Sequence, residues 1–232
     1  MTPTVQQQAF LDALVNTTSN LALVARAGCG KTSTILLGVD AYAKVNAKAE
    51  VLVCAYNKAI ATEVGEKLVK AGHTDWKKCR AATVHAMGFG LLKFVFKPKV
   101  DASKVRELIR THNDAVYSQY ASQVEQLVGF AKVEGVGFFD DCPIGDSLNR
   151  TDVIDFDDMI LFPLVKNLRV KFGFDLIFLD EAQDTSRARQ ALARKFLKPS
   201  GRMCVIGDDR QAIYGFAGSD ADALPNLIKG LN

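Results

Sequence analysis

The sequence predicts an α/β fold in which a parallel sheet carries helices on both faces and is interrupted by a helical insertion. Three observations lead there. Short apolar runs of strand length recur along the 232 residues. Helical patterns separate them, and glycines or acids stand where the runs end. Strands joined by helices need crossover connections, so the sheet is parallel. With 48% hydrophobic and 24% charged residues, the chain has the composition of a globular domain and can bury a sizeable core.

In chain order, a helix over 6–16 precedes a first strand at 21–25. A helix over 31–46, a strand at 51–55, a helix over 58–71 and a strand at 81–84 follow. The alternation resumes with strands at 176–179 and 203–206 around a helix over 186–197. Between 84 and 176 it breaks. Residues 103–112 and 117–132 look helical and amphipathic, and glycines and acids crowd 135–146, a predicted loop. Residues 91–150 therefore read as a helical insertion without strand pattern, inside a domain made of 1–90 and 151–232.

A net charge of +3 is too small to name a nucleic-acid partner. Its distribution says more. Arg187, Arg189, Arg194, Lys195, Lys198 and Arg202 occupy a stretch without acids, either a solvated helix face or a DNA-facing one. Five cysteines, odd in number and without a CxxC pair, indicate neither a zinc site nor a disulfide framework. Reduced thiols and the lack of a signal pattern predict an intracellular location, cytoplasmic or nuclear. No apolar run is long enough to span a bilayer, so no membrane partner is expected.

Ala25-Arg26-Ala27-Gly28-Cys29-Gly30-Lys31-Thr32 lies between the first strand and its helix. Strand, glycine turn and helix start are the context of a phosphate-binding loop, with Ala25 where the strict pattern has glycine. Gly28 and Gly30 let backbone N–H groups turn inward, and the helix N-terminus adds its positive end. Lys31 would neutralise the β- and γ-phosphates of ATP, and the Thr32 hydroxyl would bind Mg²⁺. Ala27, Gly28, Cys29, Gly30, Lys31, Thr32 and Ser33 thus form the predicted nucleotide-binding run. The duller reading is a chance glycine turn.

The apolar run 176–179 meets Asp180-Glu181-Ala182-Gln183-Asp184. Carboxylates at the C-terminal edge of a parallel sheet stand where such sheets bind ligands. Asp180 would hold Mg²⁺ through its water shell, and Glu181 would orient and deprotonate the attacking water. Such pairs also occur as helix caps, but with the phosphate loop upstream they favour an NTP hydrolase. The run Gly207-Asp208-Asp209-Arg210-Gln211-Ala212-Ile213-Tyr214-Gly215-Phe216 leaves the last strand with two acids, an amide and two aromatics. An amide can sense a phosphate, and aromatic rings can stack on unpaired bases. Alternatively, Tyr214 and Phe216 pack under the sheet edge.

These motifs in this order resemble the N-terminal motor domain of superfamily 1A DNA helicases of the UvrD/Rep/PcrA type, a RecA-like P-loop NTPase fold. Thr4-Val5-Gln6-Gln7 looks like the family's adenine-reading glutamine motif; Gln7 fits the spacing, with Gln6 and Gln8 as close rivals. Val53 to Ala59 looks like motif Ia, and Thr83-Val84-His85-Ala86 like motif Ib. Asp155-Phe156-Asp157-Asp158 matches the acidic segment before motif II, and could equally cap a helix. Carried over, the resemblance implies that Lys31, Glu181 and Gln211 are catalytic, with Gln211 on the γ-phosphate. It implies single-stranded DNA contacts at Tyr56, Asn57, Lys58, Thr83, His85, Tyr214 and Phe216. Thr83 and His85 could instead cap the helix that follows. Where family members carry tryptophan, arginine, an aromatic and arginine, this chain has Phe216, Ala217, Ala55 and Ser33.

In the family, ATP is closed between two RecA-like domains, and the second supplies arginine fingers. That partner domain is expected in cis or in trans, since no second motif set fits between Gly215 and Asn232. The isolated chain is then expected to hydrolyse ATP slowly or not at all, and 91–150 becomes a short 1B-like insertion. Two other classes stay open. One is a naturally short, non-catalytic module that binds nucleotide, DNA or a partner protein. The other is a nucleotide kinase or switch NTPase.

Overall fold

The computed structural model describes residues 2–26, 28–75, 77–111, 118–134, 147, 149–208 and 228. Helix α1 (Val5–Asn16) leads into β1 (Leu21–Val24), α2 (Lys31–Val45), β2 (Val51–Ala55), α3 (Lys58–Lys70) and β3 (Cys79–Thr83). Next come α4 (Val84–Val95), β4 (Lys99–Val100), α5 (Lys104–Thr111), α6 (Ala121–Glu134), β5 (Val153–Ile154) and α7 (Asp158–Val165). Strand β6 (Phe174–Leu179), a 3₁₀ turn (Ala182–Asp184), α8 (Arg187–Lys195) and β7 (Leu197–Gly207) complete the order. The chain divides into two compact units. One is made of residues 1–84, 170–185 and 193–232, the other of 85–169 and 186–192.

In the first unit five strands form a wholly parallel sheet in the order β1-β7-β6-β2-β3. The central strands are buried on both faces, as their near-continuous apolar sequences require: every residue of β2, and Arg202 to Gly207 of β7. The outer strands β1 and β3 are only half covered. Phe10, Leu11 and Leu14 of α1, Ile35 and Val39 of α2, and Val64 and Leu68 of α3 pack with Val51, Val53, Leu176, Phe178, Cys204 and Ile206 in one core. Gly38 lets α2 lie this close. A Cβ there would come within 3.0 Å of the Phe178 ring and 3.2 Å of Leu14. Burial pushes the thiols of Cys54, Cys79 and Cys204 up to about 12, so they act as small apolar groups.

β7 begins six residues before the expected strand, because Leu197 already pairs with Phe174 before a register shift brings Arg202 opposite Leu176. Part of the basic stretch is correspondingly internal. Arg202 is buried, donates to the Leu14 and Thr17 carbonyls at the end of α1, and lies over the Tyr42 ring. Lys198 pairs with Glu50 and Asp175 at 2.8 Å each.

Among its described residues the second unit holds two small apolar clusters, one around Leu92, Ile154, Met159, Leu161 and Phe162, the other around Val105, Ile109 and Val128. Contrary to the strandless reading of the insertion, β4 and β5 form a parallel two-residue ladder. Two residues are too short to show an alternating pattern. At the start of α7, the Asp158 N–H donates to Asp155 Oδ1 and the Asp155 N–H to Asp158 Oδ2, at 2.9 and 3.0 Å. The two acids thus tie the approach to the helix together reciprocally, across its N-cap Asp157, which makes no side-chain cap bond of its own.

Two buried lysines close on that pair. Lys104 Nζ donates to Asp158 Oδ2 at 2.6 Å and to the carbonyls of Ser147 and Arg150. Lys132 Nζ bridges Asp155 Oδ2 and Asp158 Oδ1. Burial pushes the Asp158 carboxyl up and the Lys104 ammonium down, and each partner pulls the other back. Removing one member leaves unpaired charge in a dry site. Lys132→Met is expected to lower the unfolding free energy in urea by about 3–5 kcal/mol. A loss below about 1 kcal/mol, the range of exposed pairs, would contradict that reading of the cluster.

Candidate active site

The C-terminal ends of β1, β7 and β6 lie side by side, so the segments that leave them meet at one edge. Val24 is opposite Gly207 and Leu179 opposite Val205. The Ala25 N–H continues the ladder to the Gly207 carbonyl at 2.9 Å.

After β1, Gly28 and Gly30 take the left-handed conformation, with φ of 76° and 77°. An added Cβ at Gly28 would meet nothing within 4 Å. Glycine is required there by backbone angle rather than by space. Gly30 is the N-cap of α2 and supplies no side-chain cap bond, so the N–H groups of the first turn are left to other partners. Lys31, Thr32 and Ser33 form that turn and are half-buried, whereas Cys29 is exposed. Ala27 lies outside the described residues.

Of the three neighbouring glutamines, Gln7 faces this loop. Its Oε1 accepts from the Thr4 N–H at 2.9 Å in a capping box, and its Nε2 donates to Thr34 Oγ1 at 2.9 Å. Thr34 Oγ1 donates in turn to the Gly30 carbonyl at 3.0 Å. Gln8 is turned to Asp12, and Gln6 is exposed.

At the end of β6 the Asp180 N–H donates to the Cys54 carbonyl at 3.0 Å, extending the sheet by one residue. Glu181 then adopts φ 48° and ψ 47°. For a residue with a Cβ this left-handed geometry costs about 1–2 kcal/mol. The turn directs the carboxylate onto the phosphate loop: Glu181 Oε2 accepts from Lys31 Nζ at 2.7 Å, across 150 residues of chain. Asp180 Oδ1 accepts from the Glu181 N–H at 3.0 Å. Burial first, and the Glu181 charge second, raise the Asp180 carboxyl from its ordinary value to about 6. Burial and Glu181 likewise raise Asp184, whose Oδ1 is shielded from solvent and has no hydrogen-bond partner among the described residues.

The Thr32 hydroxyl and the Asp180 carboxylate are hard oxygen donors on the two segments that meet, the kind of set that suits Mg²⁺. Residues the sequence reading passed over complete the arrangement. Gln183 Nε2 donates to Glu181 Oε2 at 2.7 Å, its Oε1 accepts from the Asp208 N–H at 3.0 Å, and Arg26 Nη1 donates to Asp208 Oδ1 at 2.9 Å. Their signal was faint. Gln183 was the amide within an acidic run, and Arg26 the bulky residue within a glycine loop.

Tyr56, Asn57 and Lys58 leave β2, and Thr83 ends β3, at the same edge of the sheet. Asn57 caps α3, its Oδ1 accepting from the Ile60 N–H at 2.9 Å, while Lys58 is exposed. In the other unit, burial and the Arg189 charge lower His85 to about 4, so its imidazole is neutral near pH 7. It can hydrogen-bond but adds no cation. Gln211, Tyr214 and Phe216 lie outside the described residues.

The family described as "AAA domain" matches residues 6–217. The ATP-dependent DNA helicase PcrA of Staphylococcus aureus is 36% identical over 89 residues, which make up 35% of this chain and 12% of that protein. PcrA of Staphylococcus epidermidis is 35% identical over 80 residues, 32% of this chain and 11% of that one. The chain thus spans a small part of the length of the curated relatives it matches. A solved structure of S. cerevisiae Dbp5, in a complex that includes ADP, covers 100% of this chain and 46% of its own at 15% identity and a TM-score of 0.46. The family match and the two PcrA matches support an N-terminal domain of the UvrD/Rep/PcrA-type superfamily 1 helicases. No helix among the described residues is long and apolar enough to cross a membrane.

The raised Asp180 carboxyl has a thermodynamic consequence. Between the unfolded value near 3.8 and the folded value of about 6, the native chain keeps a proton that the unfolded chain releases. Through that window this group makes the unfolding free energy fall as pH rises, and the full loss is felt above it. Asp180→Asn keeps the acceptor for the Glu181 N–H and removes the buried charge. It is expected to stabilise the chain by about 2 kcal/mol at pH 7 and by almost nothing at about pH 4, read from denaturant midpoints at both pH values. An equal effect at both would contradict it.

Proposed function

The chain belongs to the AAA domain family, and we propose that it is the ATP-binding N-terminal motor domain of a superfamily 1 DNA helicase. In this reading the sheet-bearing part, 1–90 and 151–232, is the ATP-binding domain, and 91–150 is a short 1B-like insertion. The observation that carries the reading is the contact of Lys31 with Glu181, which joins the phosphate loop to the acidic strand end.

Glycine-turned N–H groups and Lys31 hold the triphosphate, and Gln7 meets the adenine side. Thr32 and Asp180 hold Mg²⁺, which when bound offsets charge on the phosphate oxygens. Glu181 orients a water and takes its proton as that water's oxygen bonds to the γ-phosphorus. The bond from the γ-phosphorus to the β–γ bridging oxygen breaks, and ADP leaves with that electron pair.

Gln211 would sense the γ-phosphate and link it to single-stranded DNA. That strand would lie against Tyr56, Asn57, Lys58, Thr83, His85, Tyr214 and Phe216. Neutral His85 would contribute a hydrogen bond, and the uniform phosphate attraction would rest on Lys58. Unwinding needs a second RecA-like domain, in cis or in trans. Arginine fingers contribute about 10³–10⁵ in rate, so turnover without that domain is slow.

The test is single-turnover hydrolysis with protein in excess over MgATP, with and without single-stranded DNA. Glu181→Gln is expected to bind MgATP and to lose at least about 10²-fold in the rate constant. Hydrolysis at the wild-type rate by that variant would remove Glu181 from its role and the mechanism with it.

A further inference from the structure

Asp208, the first residue beyond β7, is gripped from two sides. Its carboxylate takes the Arg26 guanidinium at 2.9 Å, and its backbone N–H donates to Gln183 Oε1 at 3.0 Å. Asp208 is only 2% exposed, whereas the Arg26 side chain is 46% exposed. Arg26 and Lys31 belong to the same phosphate-loop segment. The contacts Lys31–Glu181–Gln183–Asp208–Arg26 therefore leave that segment and return to it as a closed ring.

Gln183 is the member whose chemistry is most constrained. A backbone N–H can only donate, so the amide oxygen must face Asp208. The NH₂ must then face carboxylates, and it does, at 2.7 Å to Glu181 Oε2 and 3.3 Å to Asp184 Oδ2. A flipped amide would set oxygen against two carboxylates and N–H against N–H. Lys31 and Gln183 both donate to the same oxygen of Glu181, Oε2. Two donors on one oxygen fix the rotamer and leave Oε1 as the atom to receive a proton.

We propose that Gln183 and Arg26 are positioning residues for hydrolysis. By clamping Asp208 between the acidic turn and the phosphate loop, they hold the Glu181 carboxylate and the C-terminal end of β7 as one unit. The proposal rests on the ATP-hydrolysing reading given above. Among the described residues, the charged groups around this clamp are Lys31 and Arg26 from the phosphate-loop segment, Asp180, Glu181 and Asp184 from the acidic turn, and Asp208 after β7.

Single-turnover hydrolysis of MgATP by the full chain tests it, with each rate normalised to the fraction of protein that binds nucleotide. Gln183→Met is expected to lose at least about tenfold in the rate constant while the MgATP dissociation constant stays within about threefold. Arg26→Ala loses less, and Arg26→Lys recovers most of it. Gln183→Glu keeps the acceptor and, once protonated, regains a donor. Its rate relative to wild type is expected to climb as the pH falls from about 8.5 to about 6, while the Gln183→Met ratio stays flat. A residue that merely supports the fold would shift neither the pH dependence nor the rate per bound nucleotide.

A rate within about twofold of wild type for Gln183→Met or Arg26→Ala, or a flat Gln183→Glu ratio, would overturn the proposal. Glu181→Gln separates the two levels. If it matches wild type, or wild type shows no turnover, the hydrolytic reading falls and the clamp falls with it. Turnover that depends on Glu181 but ignores residues 183 and 26 removes the clamp alone.

Discussion

Strand β7 is hydrogen-bonded on one side to β1 and on the other to β6, and the chemistry at the sheet edge depends on that double pairing. Neighbouring strands lie about 4.8 Å apart, so the segments leaving β1 and β6 are brought within side-chain reach of each other. A lysine and a glutamate separated by 150 residues then meet at 2.7 Å. Without β7 between them, the phosphate loop would have no fixed relation to the acids. The buried residues of β7 from Arg202 to Gly207, and the Arg202 anchor on the end of α1, hold that strand in place.

The edge is unfavourable for its own residues. Glu181 sits in a left-handed conformation, Asp180 is desolvated enough to hold a proton up to about pH 6, and Asp184 keeps an oxygen without a partner among the described residues. A fold selected only for stability would relieve each of these. In the function proposed above, these acids would be held ready for a bound cation. Lys31 and Gln183 offset part of the cost at Glu181 Oε2 and, in doing so, set its orientation.

Much of this was legible in the sequence where the signal is local. The run 51–55 coincides with a strand buried at every position, and the glycines at 28 and 30 take the backbone angles that only a glycine turn would need. Three things were not legible. The expected strand began at Met203, yet β7 starts at Leu197, because its pairing with Phe174 resumes at Arg202 after a register shift. Lys104 and Lys132 count as solvated charges in any composition, and only the fold brings them to Asp155 and Asp158. Gln183, Arg26 and Asp208 find one another across the chain, and a hydrogen bond between distant residues leaves no periodic trace. Among the glutamines, spacing favoured Gln7, and its bond to Thr34 sets it apart from its neighbours.

The central claim is that the edge built by β1, β7 and β6 is a magnesium–nucleotide site. Calorimetric titration of the chain with ATP, in the presence and absence of Mg²⁺ and for both wild type and Lys31→Ala, tests it most directly. The account predicts one nucleotide bound per chain, markedly weaker binding without Mg²⁺ and weaker still with Lys31→Ala. Absence of binding by the wild type, or binding indifferent to both Mg²⁺ and Lys31, would contradict it.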